Sequence, residues 1–138
     1  MAQRIVPFIG YEDAASAIEW LERAFGFRED RGARHEEKGV ITHAELVLEG
    51  GKVYVSAPPG YASPRTLRAE STTAQRSYDN PWVIDGLFVA VEDVDAHYER
   101  ARTAGATILR EPEEPGIGLR IYAAEDAEGH RWMFGQPS

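Results

Sequence analysis

Apolar and polar positions along the chain follow one order of periodicities that is run through twice. Arg4–Ile9 is a strand candidate with an apolar run from Ile5. Asp13 then stands as a helix N-cap, Ile18, Leu21 and Phe25 recur at i, i+3 and i+7, and Gly26 ends the run. Leu87–Val91 repeats the strand, Asp93 the cap, Val94, Tyr98 and Ala101 the helical stripe, and Gly105 the stop. From Asp13 to Gly26 is thirteen residues and from Asp93 to Gly105 twelve, so the copies agree to within one residue. Such a repeat constrains the architecture before any chemistry is considered.

The stretches after each helix read as strands. In the first copy Phe27–Arg34 is a strand candidate, and the polar run from Arg31 to Gly39 reads as a turn. Ile41–Leu48 and Lys52–Ser56 form a hairpin through Glu49-Gly50-Gly51. In the second copy Thr107–Arg110, Leu119–Ala124 and Arg131–Gly135 are strands, separated by the Pro/Gly-rich Glu111–Gly118 and the turn Asp126–His130. The expected fold class is α+β: two tandem βαβββ modules, residues 1–56 and 82–138, in a single domain. Pro7 cannot donate to a ladder, so the first strand lies at a sheet edge or has its N–H side at position 7 unpaired. Residues 57–81 hold several prolines and a polar run without periodicity, which predicts a structureless lid or linker.

Composition narrows the function classes. With 138 residues, 43% of them apolar, the chain can bury a real core. A net charge of −8 disfavours nucleic acid and anionic membranes as partners. No apolar run approaches a membrane span and no leader pattern is legible, so cytoplasmic residence is expected. The absence of cysteine removes thiolate nucleophiles, disulfides and Cys-type metal centres.

The two βαβββ units, with VEDVDAHYERARTAGA (91–106) and a closing D-x-E-G-H-x-W (Asp126, Glu128, Gly129, His130, Trp132), resemble the vicinal oxygen chelate superfamily. That superfamily includes glyoxalase I, bleomycin-resistance proteins and extradiol dioxygenases. The resemblance implies a cup-shaped sheet and, in the metalloenzymes, four inward His, Gln or Glu ligands on the first and last strands of each module. The positions matching those ligands are Val6, Gly86, Met133 and one of Tyr54, Val55 or Ser56. None supplies a hard nitrogen or carboxylate donor, so neither metal nor other cofactor is expected. His43 and Glu45, two apart on a strand, form a possible half-site, but the favoured reading is the polar face of a half-exposed strand. His97 reads as a partly covered surface residue, His130 as a turn residue and His35 as solvated.

What remains is a hollow. Strand parity from Val6 and Gly86 places Phe8, Phe88, Arg131 and Met133 on its inner side, and the aliphatic pattern of neighbouring strands adds Tyr54, Ser56, Arg120 and Tyr122. Trp82 closes the connection beside it. These nine residues are the expected ligand contacts: aromatics stack on a planar ligand and guanidinium groups orient its carbonyls or carboxylates. The expected function is metal-independent binding of a small aromatic or peptide-like molecule, of the bleomycin-resistance type, in a homodimer that the family resemblance implies. The alternatives are a metal-dependent glyoxalase, lyase, epimerase or dioxygenase with non-standard ligands, and a degenerate non-catalytic module.

Overall fold

The computed structural model describes residues 3–79 and 86–138, and in it the repeat emerges as two βαβββ halves of an α+β fold. The first half comprises β1 (Phe8–Gly10), α1 (Ala14–Phe25), β2 (Arg28–Glu29), β3 (His35–Glu37), β4 (Val40–Leu48) and β5 (Gly51–Ser56). Helices α2 (Pro64–Glu70) and α3 (Thr72–Asp79) follow. The second half comprises β6 (Leu87–Ala90), α4 (Val94–Thr103), β7 (Thr107–Glu113), β8 (Leu119–Glu125) and β9 (Arg131–Pro137). The sheets run β1-β5-β4-β2, with β3 pairing β4, and β6-β9-β8-β7. In each, the first strand lies parallel to the last, which leaves β1 and β6 as edges.

Both helices start as their sequences dictate. The Asp13 carboxylate accepts from the Ser16 amide at 3.1 Å and that of Asp93 from the Ala96 amide at 3.0 Å. Ile18, Leu21 and Phe25 of α1 are fully buried, as are Val94 and Ala101 of α4, while Tyr98 packs on the core margin. The two stripes share one core. Phe25 of α1 makes edge contacts with Trp132 and Phe134 of β9, with ring centroids 5.7 and 4.8 Å apart. Arg100 of α4 donates to the carbonyls of Glu22 and Arg23 at 3.0 and 3.1 Å, setting a cation on the negative end of α1.

Four expectations are corrected. The first strand begins at Phe8 rather than near Arg4: Pro7 only offers its carbonyl to the Tyr54 amide, and Ile5 is 86% exposed. The turn expected over Arg31–Gly39 contains a strand, β3, at His35–Glu37. Arg34 makes a bidentate pair with buried Glu29, folding the chain through one short helical turn at Arg31–Ala33 before β3. The reversal itself needs only Lys38 and Gly39, both at positive φ, as a two-residue hairpin turn requires. The described part of the stretch expected to be structureless, residues 57–79, holds two helices. Ser63-Pro64 is an N-cap followed by proline at the first helical position, and α2 and α3 result. Lastly, β7 continues to Glu113, through Pro112, because it is an edge strand where a missing donor costs nothing.

The halves are joined at the turn between β8 and β9. Asp126 is 1% exposed, and its carboxylate accepts from four donors: the Tyr11 hydroxyl, the Trp132 indole (3.0 Å), and the amides of Glu128 and His130 (both 3.0 Å). Tyr11 belongs to the loop before α1 and is itself fully buried; burial, then the adjacent Asp126 charge, holds its hydroxyl well above the usual pKa. The next acidic residue, Glu128, accepts from the amides of Glu12 and Asp13 at 2.6 and 2.9 Å, supplying a carboxylate to the N-terminus of α1 from the other half. His130 Nε2 donates to the Gly10 carbonyl at 2.7 Å. Over the same turn lies α2, where Arg65 donates to the carbonyls of Ala127 and Asp126.

Asp126→Ala strands two buried side-chain donors and two amides, and is expected to cost on the order of 3 kcal/mol in urea unfolding. Asp126→Asn keeps an oxygen for the two amides but turns its NH2 toward both the Tyr11 hydroxyl, which can accept instead, and the Trp132 indole, which cannot. Its expected cost is about half as large. Equal stability of Asp126→Ala and wild type contradicts the role given to this turn.

Candidate ligand-binding site

Each sheet has one face under the helices and one open face. On the first sheet Ile9, Val53, Val55, Ala44 and Leu46 point into the core, so alternation turns Phe8, Tyr54, Ser56, Lys52, His43 and Glu45 to the open side. Phe8 stands opposite Tyr54 across the parallel ladder and is 65% exposed; Ser56, opposite Gly10, is buried at the strand end. The His43 ring meets Tyr54 edge-on with centroids 4.8 Å apart. Glu45 bonds His43 Nε2 at 3.0 Å and accepts from Lys52 Nζ at 2.7 Å. Those two partners, His43 first, hold its carboxyl below the usual range, so it stays ionised.

On the second sheet Trp132 and Phe134 lie under the helices, and Arg131 and Met133 face the other way. Met133 pairs with Phe88 on one side and Ala123 on the other. The far edge of the Phe88 ring packs on Gly135, 2.7 Å from where a Cβ would stand, with Ile121 beside it. Phe88 is nonetheless 50% exposed. Around it is a pocket of about 200 Å³, lined among others by Gly86, Leu109, Ala123, Arg131 and Met133. A second hollow of about 490 Å³ runs between the edges of the two halves, from Phe8 and Gly10 past Tyr61 and His130 to Gly86 and Arg131. Arg131, 9% exposed, borders both.

Of the nine expected contacts, six lie on open faces but not on one. Phe8, Tyr54 and Ser56 belong to the first sheet and Phe88, Arg131 and Met133 to the second. The pocket that Phe88 and Met133 line includes neither Phe8 nor Tyr54. Trp82 lies outside the described residues. Arg120 and Tyr122 are corrections. In the β8–β9 register Tyr122 stands opposite Phe134 and Arg120 opposite Gln136, which places both on the helix side. Tyr122 is fully buried, stacked on Phe134 at 5.2 Å, and its hydroxyl bonds Nδ1 of His97. Arg120 makes a bidentate pair with Asp95 in the first turn of α4, at 2.8 and 3.0 Å.

His97 is therefore not the partly covered surface residue that the sequence suggests. Its Nε2 lies 2.7 Å from the Phe25 carbonyl, which can only accept, so Nε2 carries the proton and Nδ1 takes the Tyr122 hydroxyl. This neutral imidazole ties α4 to the C-terminal end of α1, and its presence on an otherwise apolar stripe was the available signal for a polar partner on β8. His43 and Glu45 form a dyad. Among the described residues no three His, Asp or Glu side chains are placed to hold a metal ion. The family's ligand positions here offer a valine, a glycine, a methionine thioether and a neutral strand, a donor set that does not fit a hard divalent ion.

A family model described as the Glyoxalase/Bleomycin resistance protein/Dioxygenase superfamily matches residues 4–134. An uncharacterized protein of Mycobacterium bovis is 33% identical over 131 residues, covering 95% of this chain and 81% of the relative. Among solved structures, TioX from Micromonospora sp. ML1 shares 32% identity at a TM-score of 0.72, with 99% of this chain and 97% of that one covered. TnmS3, described as an antibiotic binding protein from Streptomyces sp. CB03234, superposes at a TM-score of 0.62 over 100% of this chain and 99% of its own; at 18% identity it shares the fold alone. No helix among the described residues is long and apolar enough to cross a membrane.

Burial, followed by the nearby Arg100 charge, depresses the His97 pKa, while its bond to the Phe25 carbonyl opposes the shift. With the folded-state pKa below the unfolded one, the unfolded chain takes up the proton first as pH falls. The contribution of neutral His97 is complete above about pH 6.5 and is lost progressively below it. The melting temperature of His97→Gln is expected to vary less between pH 7 and 5 than that of wild type. An unchanged slope in thermal unfolding across that range contradicts the assignment.

Proposed function

The chain belongs to the glyoxalase/bleomycin resistance protein/dioxygenase superfamily, and we propose that it serves there as a metal-independent binding protein for a small aromatic or peptide-like molecule, as a homodimer. One observation carries the reading: a half-exposed phenylalanine and a methionine lie on an open strand face beside a buried arginine, at positions where metalloenzymes of the family carry ligands or their neighbours. Exposed aromatics grouped on a sheet face ordinarily mark a binding surface. Gly86 has no side chain where a metal ligand would project, and an added Cβ meets only the Arg131 carbonyl, at 3.5 Å. The space thus goes to the ligand.

Pocket size supports the dimer. About 200 Å³ around Phe88 is less than a small-molecule site ordinarily encloses, roughly 300–1,000 Å³. A second copy laying its Phe8–Tyr54 face over the Phe88–Met133 face closes the hollow and covers both aromatic surfaces. The description of TnmS3 as an antibiotic binding protein agrees with this class of ligand.

The test is a thermal-shift panel of aromatic and peptide antibiotics, run on EDTA-treated protein beside a panel of divalent cations. A ligand present at 100 times its Kd is expected to add about 2.7 kcal/mol of stability. Phe88→Ala is expected to weaken that ligand about tenfold while its own melting temperature stays near wild type, since half of the ring is in water. Stabilisation by divalent cations alone overturns the proposal, and a monomer at every concentration in sedimentation overturns its dimer.

A further inference from the structure

The open face of the first sheet carries a cluster that simple binding does not use. His43 Nε2 faces a carboxylate that can only accept, so in the neutral form of the ring the proton sits at Nε2 and the lone pair at Nδ1. Among the described residues Nδ1 has no hydrogen-bond partner, and neither does the Tyr54 hydroxyl beside it. The ring is fixed from three sides: Glu45 below, Tyr54 edge-on at 4.8 Å, and His35 of β3 with centroids 6.2 Å away. A base oriented by a carboxylate, with its second nitrogen unpartnered and an aromatic ring against it, is the arrangement for taking a proton from a bound group.

We propose that His43, positioned by Glu45, deprotonates the hydroxyl of a planar hydroxyaromatic ligand held against Phe8 and Tyr54, so that the ligand binds as its phenolate without a metal ion. The ligand's O–H bond breaks, the electron pair stays on oxygen, and the proton forms an N–H bond at Nδ1. The products are an imidazolium beside Glu45 and a phenolate within reach of the Tyr54 hydroxyl. Charges facing His43 favour this outcome: Glu45 on its own strand stabilises the imidazolium, and Lys52 on β5 offsets the new negative charge. Lys52 is held protonated by Glu45, with Asp30 a minor contributor, and His35 is the other titratable group facing the ring. The inference rests on the binding reading above and adds a ligand class to it.

The test uses 4-nitrophenol, whose phenolate absorbs in the visible, with 4-nitroanisole as its non-ionisable twin, on the EDTA-treated protein. Bound 4-nitrophenol is expected to ionise about one pH unit lower than free probe, giving about tenfold more phenolate below its free pKa. In His43→Gln the bound probe ionises as it does free in solution, whatever its affinity. Glu45→Gln gives an intermediate shift. Bound nitroanisole with an unshifted nitrophenol overturns this inference alone. Failure of both probes to bind in equilibrium dialysis counts against the binding reading and takes this inference with it. A shift that persists in His43→Gln assigns the proton elsewhere and also overturns it.

Discussion

A buried carboxylate joins the two halves of this protein. Four donors converge on the Asp126 carboxylate under the core, and one of them, Tyr11, comes from the other copy of the repeat. An unpaired charge in that position would be prohibitively expensive. Tyr11, Trp132 and the β8–β9 turn must therefore assemble together or not at all. The same turn sends Glu128 to the N-terminus of α1 and His130 to the end of β1, so closing the second sheet also finishes the first helix. Arg100 and His97 do the corresponding work at the other end of α1. Each half is completed by polar groups that belong to its neighbour.

With the helices and their apolar stripes committed to this shared core, the other face of each sheet is left to the surroundings. Alternation along the strands then decides what each face offers. The first presents an aromatic pair with a charged, hydrogen-bonding cluster, and the second presents Phe88 and Met133 over a glycine, with Arg131 at the margin. The two surfaces differ in kind, and a ligand with one polar end and one flat apolar end would suit them together.

Much of this was legible in the residues. The double strand–helix–glycine order located both helices and their buried stripes; the parity of β1, β6 and β9 followed from the positions of Val6, Gly86 and Met133 and that of β5 from its alternation, and the structure has the same parity. The parity of β8 was not. Leu119 and Ile121 look like core residues, yet Ile121 is buried against Phe88 on the open side, while Tyr122 is hidden beneath α4 because His97 offers its hydroxyl a partner. Burial on both faces of a strand erases the polar–apolar contrast on which such reading depends. The helices after Ala57 were missed for a different reason. Their inner contacts are polar, Ser63 and Thr66 on Glu12 and Arg68 on Glu125, so no apolar stripe announces them.

The seat of Phe88 on Gly135 makes the depth of the hollow adjustable from a position that no ligand need touch. A methyl group there would collide with the far edge of the ring and tip it outward, leaving the strand's own ladder in place. Descendants of such a protein could trade thick guests for thin ones through that one backbone-facing site, without disturbing the residues that grip the guest.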